Sequence, residues 1–142
     1  MLQFYFLSIL LNLICGSILL FGKNLVTGEY SHNTNKILGD NAFFDDKTFR
    51  IVLASLSVFV GIMKLLSVVK DDIPVIGDFF ASLAGFLGGV CLLLEYYKIQ
   101  SGENARLPSF IENIFITRRT FIGWFCMIAA LLHFVFPEAL LL

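Results

Sequence analysis

Long uninterrupted apolar runs, separated by shorter polar stretches, dominate the chain. Crossing a bilayer as a helix takes about 20 mostly apolar residues, and four runs meet or approach that length, at 2–22, 49–69, 73–95 and 119–136. The runs are continuously apolar rather than alternating. That pattern suits helices, which satisfy their backbone hydrogen bonds within one segment, and not the strands of a membrane barrel. It predicts an all-α, polytopic integral membrane protein: a single membrane domain over 1–142, with four transmembrane helices in a bundle and a tight hairpin between the second and third. Connections of 23–48 and 96–118 join the remaining helices.

Composition strengthens the assignment. Of 142 residues 58% are hydrophobic and only 15% charged, and the mean hydropathy is +0.85, well beyond an ordinary soluble domain. The first run, "LQFYFLSILLNLICGSILLFG", lacks a basic leader and a small-residue cleavage site, so it reads as a retained helix rather than a signal peptide. The net charge of −1 averages two opposed surfaces and says nothing about partners. Basic residues near helix ends are held on the cytoplasmic side. Lys23, Lys36, Lys47 and Arg50 flank one connection, and Lys98, Arg106, Arg118 and Arg119 the other, against Lys70 alone at the hairpin turn. This asymmetry predicts both connections inside and both termini external, in a bacterial inner (plasma) membrane.

Polar positions within the runs give the expected helix contacts. Folding the chain about residue 71 sets Lys64 opposite Asp78, each seven residues from the turn, or ~10 Å along each axis. Steps of three and four back from Lys64 reach Gly61, Ser57, Ala54 and Arg50; forward from Asp78 they reach Ala81, Gly85, Gly88, Leu92 and Glu95. Small residues let helices approach closely in lipid. The register predicts Gly61 against Ala81, Ser57 against Gly85, Ala54 against Gly88, and a second ion pair of Arg50 with Glu95. Gly77, Ala81, Gly85 and Gly89 form a further small-residue ridge on the third helix, suited to the first or fourth helix or to another chain. Lys64 with Asp78 reads either as a pair that fixes the hairpin or as a proton or ion relay. With Asn12 and His133 they could form a polar cluster in the outer half; the plain alternative for His133 is an interfacial histidine.

Between the third and fourth runs, "LPSFIENIFITRR" gives Ser109 and Glu112 capping-box spacing and places Phe110, Ile111, Ile114 and Phe115 on one face. It predicts a short amphipathic helix on the inner surface, or else a loop with a few buried aromatics. No Walker loop, HExxH, GxSxG, CxxC or Rossmann fingerprint is present. Cys15, Cys91 and Cys126 fall in apolar runs at different expected depths and read as small hydrophobes. Neither a catalytic residue nor a metal or cofactor is expected. The expected partners are the lipid bilayer and a membrane protein or a second copy of this chain, with no nucleic acid. Two functions fit: a non-enzymatic subunit, assembly factor or stabiliser that packs against other membrane helices, and a small oligomeric transporter or channel using Lys64, Asp78 and His133.

Overall fold

The computed structural model describes residues 2–28, 45–66, 79–102 and 106–136. These are all-helical with no strand ladder: α1 (Leu2–Phe21), α2 (Lys47–Leu66), α3 (Phe79–Ser101) and α4 (Arg119–Val135), the last preceded by a short helical segment over residues 109–117. Three helices are long and apolar enough to cross a membrane, or four if the bent pair of 109–117 with α4 counts as one span.

Local chemistry sets the helix ends. Asp46 starts α2 as its side chain accepts from the Thr48 backbone N–H at 3.1 Å, satisfying one of the donors that a helix N-terminus leaves open. Helix α3 runs to Ser101, six residues beyond the predicted end at 95, and stops where Gly102 takes a positive φ of 55°, a conformation glycine adopts without a Cβ clash. Tyr96, Tyr97 and Lys98 lie within this last part of the helix. The predicted 96–118 connection is shorter by that turn and a half.

Residues 109–117 depart further from expectation. Pro108 is the N-cap and no side chain caps the segment, so Ser109 lies inside the helix and the capping box does not form. Glu112 instead pairs with Lys98 of α3. From Glu112 to Thr117 the coil widens to a π-helix, with Arg118 N–H donating to Asn113 O at 3.2 Å. At Arg118 the backbone leaves helical geometry, and the axis bends 56° before α4 begins. The expected apolar face is only half covered: Phe110 is 73% exposed, while Ile116, outside that face, is buried. The break also separates two adjacent arginines, leaving Arg118 exposed and Arg119 buried.

Helices α2 and α3 pack as one antiparallel pair and α1 and α4 as another, with α1 and α3 in contact across the middle. Leu11, Cys15, Ile18, Leu53, Ala54, Ala84, Leu92, Ile122 and Cys126 form the core. Close approach depends on small residues. A Cβ on Gly89 would lie 2.9 Å from Ala54 O and 2.7 Å from Val58 Cγ2. One on Gly61 would lie 3.1 Å from both Ser82 O and Phe86 N.

The α2–α3 register agrees with the sequence pairing at Ser57 with Gly85 and at Arg50 with Glu95, and is rotated at the other two points. Ser57 Oγ–H donates to Gly85 O at 2.8 Å. Gly61, however, faces Ser82, whose hydroxyl donates to Gly61 O, rather than Ala81. Ala54 faces Gly89 rather than Gly88. Gly88 turns the other way, toward Cys126 Sγ of α4 and Cys15 Cβ of α1. Counting in threes and fours cannot choose between adjacent glycines, and the actual α2-facing ridge runs Ser82, Gly85, Gly89. The other small-residue face, with Ala81 and Gly88, receives α1 and α4. Gly77 and Asp78, and with them the Lys64–Asp78 pairing and the 70–72 turn, lie outside the described residues, as does His32.

Candidate functional site

Two polar clusters sit at opposite ends of the bundle. The first gathers around Glu95, which is fully buried near the C-terminal end of α3. Arg50 Nη1 of α2 donates to Glu95 Oε2 at 3.2 Å, and Arg119 Nη1 of α4 donates to Glu95 Oε1 at 2.7 Å. One carboxylate thus joins three helices. Arg119 adds the fourth: its Nη2 donates to Ile18 O at 3.0 Å and Gly22 O at 2.9 Å, and its Nε to Leu19 O at 3.1 Å. These carbonyls lie in the last turn of α1, where a helix runs short of intrahelical donors and a cation is favoured; Ile18 O also accepts from Gly22 N–H at 2.8 Å. Arg50 Nη2 donates to Asp45 Oδ1 at 3.0 Å, and the same oxygen accepts from Lys23 N–H at 3.1 Å. Two guanidinium groups, two carboxylates and a helix terminus form one nearly neutral network.

The sequence pairs Arg50 with Glu95 but assigns Arg119 to the surface, beside Arg118. The bend explains the difference. Breaking the helix at Arg118 lets α4 restart with its first side chain pointing into the bundle, and a planar fork can reach carboxylate and carbonyls together. The only sequence signal for this is one buried-looking glutamate facing a surplus of arginines.

The second cluster holds Lys64 of α2, His133 of α4 and Tyr5 of α1. Lys64 Nζ lies 3.0 Å from His133 Nε2. The Tyr5 hydroxyl donates to the His133 carbonyl oxygen, the Tyr5 and His133 rings are 4.6 Å apart between centroids, and Lys64 Nζ stands 5.6 Å from the Tyr5 ring centre, within reach of a cation–π attraction. Lys64 is 7% exposed and His133 2%.

Asn12 belongs elsewhere. It is two turns along α1 from Tyr5, ~10 Å away, and its Nδ2 donates to Ala81 O at 2.9 Å. Its Oδ1 has no hydrogen-bond partner although the side chain is buried. Around it, Ser8, Leu11, Ser57, Gly61 and Gly85 close so tightly that the space between them admits no water molecule. The proposed fourfold polar cluster is therefore divided: Lys64 and His133 meet, Asn12 stands apart in mid-bundle.

The cysteines also differ from expectation. Cys15 and Cys126 are at one depth, both against Gly88, whereas Cys91 donates to Phe115 O at 2.9 Å. Cys126 donates to Ala84 O at 3.2 Å. All three are buried free thiols, and among the described residues no group of His, Cys, Asp and Glu is arranged to hold a metal ion.

A family model of unknown function matches residues 1–133. A protein of Treponema pallidum (strain Nichols), described as uncharacterized, is 33% identical over 142 residues, a match that covers 100% of both chains. No solved structure matches. With nearly all of its length inside the model's bounds, the chain belongs to this family of proteins of unknown function.

Proposed function

We propose that this is a non-enzymatic integral membrane protein, a subunit, assembly factor or stabiliser that offers a rigid helical surface to other membrane helices. The observation that carries the reading is the Glu95 network. Buried ionisable groups in a membrane are expensive and so usually mark either function or fastening. Here Glu95, Arg50 and Arg119 are satisfied by one another, by Asp45 and by the end of α1, which suits fastening. The small-residue faces of α3 are taken up inside the bundle. What faces outward is bulky and apolar: Phe59 and Ile62 on α2, Phe121, Trp124, Ile128 and Leu131 on α4. Such a surface fits lipid and, over part of its area, a partner helix or a second copy of this chain.

The same reading places the protein in a bacterial inner membrane with both termini external. Removing the buried Arg50 and Arg119 from the basic count leaves Lys23, Lys36, Lys47, Lys98, Arg106 and Arg118 against Lys70, so the asymmetry persists. A cysteine introduced at Leu140 should label from outside and one at Asn104 should not; the reverse pattern would invert the topology.

Transport is the second reading, favoured by the buried Lys64–His133 contact. Photo-crosslinkers at Phe121, Trp124 and Ile128, compared with Phe59 and Ile62, separate the two in native membranes. A defined protein adduct from one face supports the packing role. Lipid adducts from every face, with proton or ion flux in proteoliposomes that Lys64→Met with Asp78→Leu abolishes, would replace it with transport.

A further inference from the structure

Arg118 stands at the elbow between residues 109–117 and α4, where the backbone leaves helical geometry and the axis turns by 56°. Both arms of the elbow are pinned. On one, Glu112 pairs with Lys98, and Phe115 O accepts from the Cys91 thiol at 2.9 Å, which holds the segment against α3. On the other, Arg119 is drawn into the bundle by Glu95 and the last turn of α1. With its neighbours fixed on either side, Arg118 is left exposed.

The elbow carries uncompensated positive charge. Glu112, the acidic residue closest to Arg118 in the sequence, is taken by Lys98, while Asp45 and Glu95 are taken by Arg50 and Arg119. Among the described residues Arg118 forms no ion pair, so its counter-charge comes from the surroundings.

Apolar surface begins beside it. Phe121 N–H donates to Arg118 O at 3.0 Å, which sets Arg118 and Phe121 on one turn. From there Phe121, Trp124, Ile128 and Leu131 follow along α4 in steps of three and four, each more than half exposed. Residues so spaced are neighbours on a helix surface. A cation at one end of a strip of bulky apolar side chains is complementary to a molecule with a phosphate at one end and acyl chains at the other. A guanidinium takes phosphate oxygens through paired N–H···O bonds. A zwitterionic headgroup brings its own cation to the phosphate, so a lipid of net negative charge gains more from the arginine.

We propose that the elbow is a binding site for an anionic phospholipid, with the headgroup phosphate on the Arg118 guanidinium and the acyl chains along Phe121, Trp124 and Ile128. The site presupposes the integral membrane protein proposed above. It gives this strip of α4 to lipid and leaves Phe59 and Ile62 on α2 as the face for a partner helix. One basic residue near an anionic membrane surface is worth about 1 kcal/mol, or roughly a fivefold preference.

Trp124 is the single tryptophan of the chain and lies six residues from Arg118, ~9 Å along the axis, at the depth of acyl chains. The full chain is reconstituted in bilayers that mix phosphatidylglycerol with phosphatidylcholine, one of the two carrying brominated chains, which quench indole fluorescence on contact. Pure brominated phosphatidylcholine should quench Trp124; no quenching there would take α4 out of the membrane and overturn the membrane reading itself. In the mixtures, brominated phosphatidylglycerol should quench beyond its mole fraction, with a preference of roughly fivefold that declines as salt is raised. Arg118→Gln should remove the preference and Arg118→Lys keep part of it, since an ammonium retains the charge without the paired bonds. Arg106→Gln, an exposed arginine beyond the far end of the segment, should leave it intact. The salt series in the parent tests the charge even if a variant fails to fold. Quenching in proportion to mole fraction overturns the site and leaves the membrane reading standing. A preference that ignores salt, that survives Arg118→Gln, or that Arg118→Lys loses as fully as Arg118→Gln also overturns it. So does equal loss in Arg106→Gln, which would assign the attraction to diffuse surface charge. Displacement of the quenching lipid by soluble glycerol phosphate would make the occupant a free phosphate ester and not a lipid.

Discussion

The two ends of the bundle are fastened in different ways. At one, Glu95 is shared by two arginines, a second carboxylate backs one of them, and the other holds three backbone carbonyls of α1. At the other, one lysine meets one histidine beside a tyrosine. The first arrangement is charge-balanced and multiply bonded, so losing any one contact leaves others to hold the geometry. At the second, the contact between Lys64 and His133 needs one nitrogen to donate and the other to accept, so protonation bears on it directly.

The largest expected effect comes from breaking the balanced end. Glu95→Gln leaves two guanidinium groups facing a neutral amide in a buried site, and removal of one partner from a buried ionic pair typically costs about 3–5 kcal/mol. Thermal unfolding in mild detergent should show it as the most damaging single substitution in either cluster. Arg50→Met with Glu95→Leu should recover part of the loss, but not all, because Arg119 would retain its carbonyls and lose its counter-charge. If Glu95→Gln unfolds no earlier than the parent, the network does not fasten the bundle.

Arg119→Lys comes next. The charge survives, but an ammonium cannot reach Glu95 and the carbonyls of Ile18, Leu19 and Gly22 with the geometry of the fork. Losing two hydrogen bonds made by a charged group, each at the low end of about 1.5–3 kcal/mol, suggests a cost of roughly 3 kcal/mol. Arg50→Lys should cost less, since an ammonium can still meet the carboxylates of Glu95 and Asp45. Proteolysis near residues 22–24 should increase in Arg119→Lys as the end of α1 loosens. Equal stability of the two lysine variants would show that the carbonyl clamp contributes nothing.

How legible these ends were in the sequence follows from the same contrast. Arg50 and Glu95 lie on counted seams at matching depth, so their pairing could be read from spacing alone. Lys64 and His133 could be placed at one end because the alternating direction of four helices brings those termini together. Arg119 could not be read, since its inward turn depends on a 56° bend at Arg118, which no hydrophobic period encodes. The choice between Gly88 and Gly89 was hidden for a geometric reason: successive residues on a helix point about 100° apart, and a period of 3.5 drifts against one of 3.6 until adjacent glycines are equally good candidates.

That rotation of the seam can be tested between the two ends. Gly89→Ala would place a methyl 2.9 Å from Ala54 O and 3.1 Å from Val58 N, backbone atoms that cannot rotate away. Overpacking of this kind costs about 1–3 kcal/mol. Gly88→Ala meets Cys126 Sγ at 2.8 Å, the far end of a short side chain that can turn aside, and should cost less. The reverse ranking in thermal unfolding would restore the register counted from the sequence, with Gly88 against Ala54.

The smallest effect belongs to the Lys64–His133 end, and a double-mutant cycle isolates it. Lys64→Met and His133→Leu each remove one side of the contact, and their coupling near pH 8 should be about 1.5 kcal/mol, the low end for one hydrogen bond to a charged group. A parallel cycle of Lys64→Met with Asp78→Leu asks whether that carboxylate shares the lysine, as the fold about residue 71 predicts. The two couplings sharpen the contrast between the ends. A His133 coupling that fades toward pH 5 while that of Arg50 with Glu95 holds would keep one end responsive and the other fixed. If the Asp78 coupling is large and the His133 coupling vanishes at every pH, Lys64 has a carboxylate as its real partner, and both ends of the bundle are fastened by opposite charges.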